Sequence, residues 1–143
     1  MSCLSELTDR IRGTTDLGAL LDVAYDAFED LLTVVRGHRA GFDDYLSLPL
    51  LRVVALAADA RDIVGRAPSL PSRRRSMVAA AEAPHPSKSA EHVAHEIVAL
   101  SEHLAARLAD VGGAAPDPAD QAACSAAAGC AREIYAHLIG REP

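Results

Sequence analysis

Apolar residues recur at helical spacing along most of the chain. A first short stripe covers residues 4–12, and a second covers about residues 16–36. Intervals of three and four residues place side chains on one face of an α-helix. Gly13 favours a break between the two stripes, with Thr15 as the N-cap of the second helix, although one continuous helix over residues 4–36 also fits the pattern.

The third stripe, over about residues 47–66, is apolar around most of the helix circumference. Its polar residues are largely confined to a line of Arg52, Asp59 and Arg66. A helix with so wide an apolar surface is usually buried on several sides. We therefore expect it to be either the central helix of the fold or part of a subunit interface.

Two further helices are predicted in the second half of the chain. One spans about residues 90–111 and ends at Gly112 and Gly113, and the other runs from the Asp117–Pro118 cap signal to near residue 140. The last helix is rich in alanine, which lets two helix backbones approach closely. Its expected apolar ridge consists of Ala119, Ala123, Ala126 and Cys130, with His137 on the same ridge.

Residues 67–89 form a proline-rich connection, in which a short helix over about residues 73–83 also fits the sequence. Four long helices with such connections predict an all-α fold, an antiparallel up-and-down four-helix bundle with one or two additional short helices. A length of 143 residues suits a single domain that comprises residues 1–143.

Composition narrows the functional classes. The formal net charge of −6 disfavours nucleic-acid binding, and no apolar run reaches the roughly 20 residues that a membrane span needs. The N-terminus has no signal-peptide pattern, so we expect a cytoplasmic protein, and heavy use of Ala and Arg suggests a bacterial source. Three cysteines make no disulfide framework, and we expect Cys124 and Cys130 to be buried free thiols.

The unusual chemistry lies in one segment, since four of the six histidines fall between His85 and His103. At about 100° per residue, His92, Glu96 and His103 share the edge of the core face, while His95 points toward solvent. Such residues could bind a metal ion or haem if His85 or a residue of another helix completed the site. Histidines at the helix surface in ion pairs are the simpler interpretation, and we favour it.

Because the chain has no glycine-rich phosphate loop and no HExxH motif, we expect a binding protein rather than an enzyme. The hypothesis we favour is a regulatory, protein-binding module that acts through helix–helix contacts and forms a homodimer, with the third helix and the alanine-rich last helix as its contact surfaces. Two alternatives are a metal- or haem-binding bundle and a carrier of an apolar small molecule. The residues expected at the contact surface are Leu50, Arg52, Val54, Arg73, Arg74 and Arg75.

Overall fold

The computed structural model describes residues 4–37, 44–71 and 90–139, with only the backbone described for residues 44–49 and 90. Within these ranges all regular secondary structure is helical and no strand occurs, which confirms the predicted all-α class. The helices are α1 (Leu4–Arg12), α2 (Leu17–Gly37), α3 (Asp44–Gly65), α4 (Ala90–Gly113) and α5 (Pro118–Ile139).

The predicted break between the first two helices is confirmed, but its cap lies one residue later than expected. The Thr14 hydroxyl donates to the Arg10 carbonyl at 2.6 Å, where α1 ends. The Asp16 carboxylate, not Thr15, accepts the Ala19 N–H at 2.9 Å and caps α2. A carboxylate suits this position because it also interacts favourably with the positive end of the helix dipole.

The third helix begins at Asp44, three residues before the predicted start, so that Pro49 lies in its second turn. One face of α3 is buried, through Leu50, Val53, Ala57, Ala60 and Val64. The opposite face is exposed, so α3 is not an enclosed central helix.

One connected cluster of buried apolar side chains draws on all five helices. α5 packs against both α4 and α3, α2 packs against α3, and α1 packs against α4 and α2. The largest fully buried side chains include Phe28, Ile97, Leu104 and Ile134. These contacts are compatible with a helical bundle, in which amphipathic helices bury their apolar faces against one another.

The buried face of α5 differs from the predicted ridge. Cys124, Ala127, Ala131 and Ile134 are buried, whereas Ala119 and Ala126 are exposed and Ala123 and Cys130 are half-buried. The predicted ridge therefore lies at the edge of the core and beyond it, and is not the inner face, because alanine on both sides of a helix gives no contrast that identifies the inner face.

Among the described residues, none of the helices combines the length and the hydrophobicity that crossing a membrane requires. The predicted short helix over residues 73–83 lies outside the described residues.

Candidate functional site

An open groove lies between α1 and the first half of α4. Its volume is about 270 Å³. α1 packs against α4 and buries its own apolar residues. Polar residues of α1 face the histidine-containing part of α4 across the groove. The groove is lined by Ser5, Thr8, Asp9, His92, His95, Glu96 and Ala99.

His92 and Glu96 face each other across one helical turn, as the sequence predicts. Their Nε2 and Oε1 atoms are 3.9 Å apart, and the two side chains are 58% and 13% exposed. The distance suits a loose ion pair when the imidazole is protonated, and it is too long for a hydrogen bond. His95 is exposed, also as predicted.

The other residues expected at a metal site are not part of this groove. His103 is half-buried two turns further along α4 and does not line it, and His85 lies outside the described residues. Among the residues that the structure describes, no three His, Cys, Asp or Glu side chains are arranged to hold a metal ion. Metal or haem binding that uses His85 stays a prediction.

On α3, two adjacent leucines have opposite surroundings. Leu50 is 3% exposed and belongs to the core, whereas Leu51 is 50% exposed. Leu50, a residue expected at the contact surface, therefore presents little surface to a partner. Val54 is half-buried and Arg52 is exposed, while Arg73, Arg74 and Arg75 lie outside the described residues.

The charged residues of α3 outside its buried face differ in whether they contact other residues. Arg61 contacts Glu29 of α2 at 3.5 Å and Asp62 at 3.3 Å, and the Arg66 guanidinium donates to the Asp62 carbonyl at 3.2 Å. By contrast, neither Arg52 nor Asp59 forms an ion pair with any residue in the described parts of the chain. These two charges are accessible to another molecule.

The two described cysteines are poor candidates for catalysis. Burial raises the pKa of the Cys124 thiol, and the nearby negative charge of Asp120 raises it further. Burial also raises the pKa of Cys130, with further contributions from Asp59 and Glu133. A thiol that keeps its proton is a weak nucleophile, so both residues fit a packing role.

Two long-range polar contacts were not predicted from the sequence. Asp120, which is 2% exposed, accepts hydrogen bonds from the Ser69 N–H at 3.0 Å and the Ser69 hydroxyl at 2.6 Å. Arg107 donates to the Thr14 carbonyl and so ties α4 to the turn between α1 and α2. An acid in the first turn of a helix usually indicates a dipole effect, so nothing local marks Asp120 as buried.

No protein family, curated protein or solved structure matches this chain. The functional argument therefore rests on the two surfaces described above. Of these, the groove contains the loose His92–Glu96 ion pair, whereas α3 offers an exposed leucine beside two accessible charges.

Proposed function

We propose that this chain is a non-enzymatic interaction module that self-associates through the outward face of α3. The observation that carries the proposal is Leu51, which is half exposed although its neighbour Leu50 is buried. Burying apolar surface gains about 25 cal/mol per Å², so covering this leucine favours association.

The residues around Leu51 form a strip that is suited to helix docking. Val54, Ala55 and Ala58 follow at the i+3, i+4 and i+7 positions, and all are exposed or half-buried. This is the spacing with which an amphipathic helix contacts another helix. Single exposed apolar residues need no explanation, but here the exposed Leu51 and Ala55 adjoin Val54 and Ala58, which pack partly against the core. Together they form one contiguous strip, named here the 51–58 strip, and support a contact surface.

We also propose that neighbouring long helices run antiparallel. The start of α2 (Gly18) lies against Ser69, four residues after the end of α3, and Ser69 contacts Asp120 at the start of α5. Gly112 at the end of α4 packs against Cys124, also near the start of α5. These contacts support an arrangement in which the C-termini of α3 and α4 lie at the same end of the bundle as the N-termini of α2 and α5. In this arrangement α3 and α4 run parallel to each other, so the chain departs from a simple up-and-down order between these two helices.

The experiment that tests self-association compares two adjacent leucines. Sedimentation velocity over a range of protein concentrations should show a monomer–dimer equilibrium. Leu51→Asp should shift the protein to monomer while its circular dichroism spectrum and thermal unfolding stay close to those of the parent. Leu50→Asp should unfold the protein, because it places a charge in the core.

The matched control is Ala106→Asp, which introduces the same charge at an exposed position of α4. It should leave the dimer fraction unchanged, which would separate a local effect on α3 from a general effect of net charge. A parent protein that remains monomeric at every concentration would refute the proposed function, as would a Leu51→Asp protein that dimerises like the parent.

A further inference from the structure

We infer that the partner on the 51–58 strip is a second copy of this chain, with its α3 antiparallel about a two-fold axis near Ala55. This inference rests on the proposed function and specifies its partner and register. It follows from two properties of the outward face, the order of large and small apolar residues and the order of the charges.

The apolar residues are self-complementary about this axis. In an antiparallel pair, residues whose numbers are equidistant from the axis face each other, so Leu51 lies opposite Ala58 of the second copy. Val54 in the same way lies opposite Ala55 of the second copy. Each large side chain therefore faces a small one, which is the condition for close packing between two helices.

The charges are complementary about an axis one residue further along α3. Arg52 and Asp59 are two turns apart on α3, at about 10 Å along the helix axis. Both are exposed. With the axis between Val54 and Ala55, Arg52 of each copy lies opposite position 57 of the other, two residues or about 3 Å along the helix from Asp59. The long arginine side chain spans this offset and forms two symmetric ion pairs, as expected of an isologous interface. A parallel pairing in register would instead place Arg52 against Arg52.

A different antiparallel register is less favourable. An axis near Asp62 would pair Asp59 with Arg66, but it would also bring the two Asp62 side chains together. The Arg66 guanidinium already donates to the Asp62 carbonyl, and Asp62 already contacts Arg61. Arg52 and Asp59 form no ion pair with the described residues. The axis near Ala55 therefore pairs the two charges that are accessible.

Two helices that meet over about two turns bury less surface than a standard protein interface of about 1,600 Å². The dimer should therefore be weak and depend on concentration. Because charge pairs contribute a larger share of a small interface, reversing one charge should have a measurable effect on its dissociation constant.

The test uses charge reversal and recombination. Arg52→Asp and Asp59→Arg should each weaken self-association about tenfold, as each creates two like-charge contacts at the interface. The double variant that carries both substitutions restores opposite charges and should dimerise within about twofold of the parent. Sedimentation velocity on each protein provides the dissociation constants, and circular dichroism checks that the exposed substitutions leave the fold intact.

A mixture of the two single variants gives the sharpest result. Each variant alone should be largely monomeric, while an equimolar mixture should form a heterodimer in which both charge pairs are opposite. If the parent dimerises and Leu51→Asp abolishes the dimer, but neither the double variant nor the mixture recovers, the register is wrong and the proposed function stands. If the parent is monomeric, the proposed function itself fails.

Discussion

The contact between α4 and α5 and the contact between α1 and α4 are built in opposite ways. At the first, Gly112 lets the Cys124 side chain approach so closely that a Cβ at Gly112 would lie 2.2 Å from the Cys124 Cβ. At the second, a helix of nine residues buries Leu4, Leu7 and Ile11 and leaves a polar groove beside α4. One contact depends on backbone proximity and the other on a few side chains.

This difference predicts how the molecule opens. A helix as short as α1 is marginal in isolation, so it is helical because it is docked on α2 and α4. The contact between α4 and α5 belongs to the most extensive helix pair in the described structure. We therefore expect α1 to detach in local opening and the contact between α4 and α5 to break in global unfolding.

Among the substitutions that probe this comparison, the largest effect on the free energy of unfolding is expected for Gly112→Ala. The new methyl group would meet the Cys124 Cβ, which no side-chain rotation can move, so the two helices must separate. Overpacking of this kind costs about 3 kcal/mol, which outweighs the gain of about 1 kcal/mol in helix propensity. Urea unfolding followed by circular dichroism measures the change.

Gly129→Ala is the matched control, because a Cβ at this position of α5 meets nothing within 4 Å. It should stabilise the protein by about 0.5–1 kcal/mol through helix propensity alone. Equal effects of the two substitutions would show that the close approach of α4 and α5 is not important for stability.

The next largest effect is expected for Asp120→Ala. This change removes the acceptor of both hydrogen bonds from Ser69 and should cost about 2 kcal/mol, since Ser69 is exposed and its N–H can bind water instead. Ser69→Ala removes only the hydroxyl contact and should cost about half as much. Thermal unfolding of the two variants and the double variant tests the coupling. Additive losses would indicate that the two residues do not act through this contact.

The sequence predicted the helices well because each has its own periodicity and caps. The predicted Asp117 cap is confirmed, and its carboxylate accepts the Ala119 N–H at 2.8 Å. The inner face of α5 could not be predicted, since its alanines carry no contrast. Adjacent Leu50 and Leu51 also look alike in sequence, and only packing separates them.

The candidate surfaces were harder to predict than the helices. The histidine-containing face of α4 was identified, but its neighbours on α1 were not, because helical periodicity carries no information about which helices meet. Arg107 and Thr14 are 93 residues apart in the chain. Contacts of this kind depend on the tertiary fold, which the pattern along one helix does not contain.

A smaller global effect is expected for Arg107→Met. The lost hydrogen bond to the Thr14 carbonyl destabilises the protein, but the Arg107 Nε is buried without a partner in the described structure, and removing it offsets that loss. The free energy of unfolding should change by no more than about 1 kcal/mol. Amides of α1 should nevertheless exchange several times faster, while those of α5 keep their rates. Uniform acceleration in both helices would contradict separate opening of α1.

The smallest effect is expected for His92→Ala. The imidazole is 58% exposed and 3.9 Å from Glu96, and an exposed pair one turn apart contributes about 0.2–0.5 kcal/mol. Urea unfolding at low and high salt should show a difference that disappears as salt screens the pair. Metal analysis of protein purified without a histidine tag provides an independent measurement. A stoichiometric metal that is lost in His92→Ala would show that the groove binds a metal ion. A stability loss well above about 1 kcal/mol would show that the contacts of His92 hold α1 and α4 together more strongly than an exposed ion pair does.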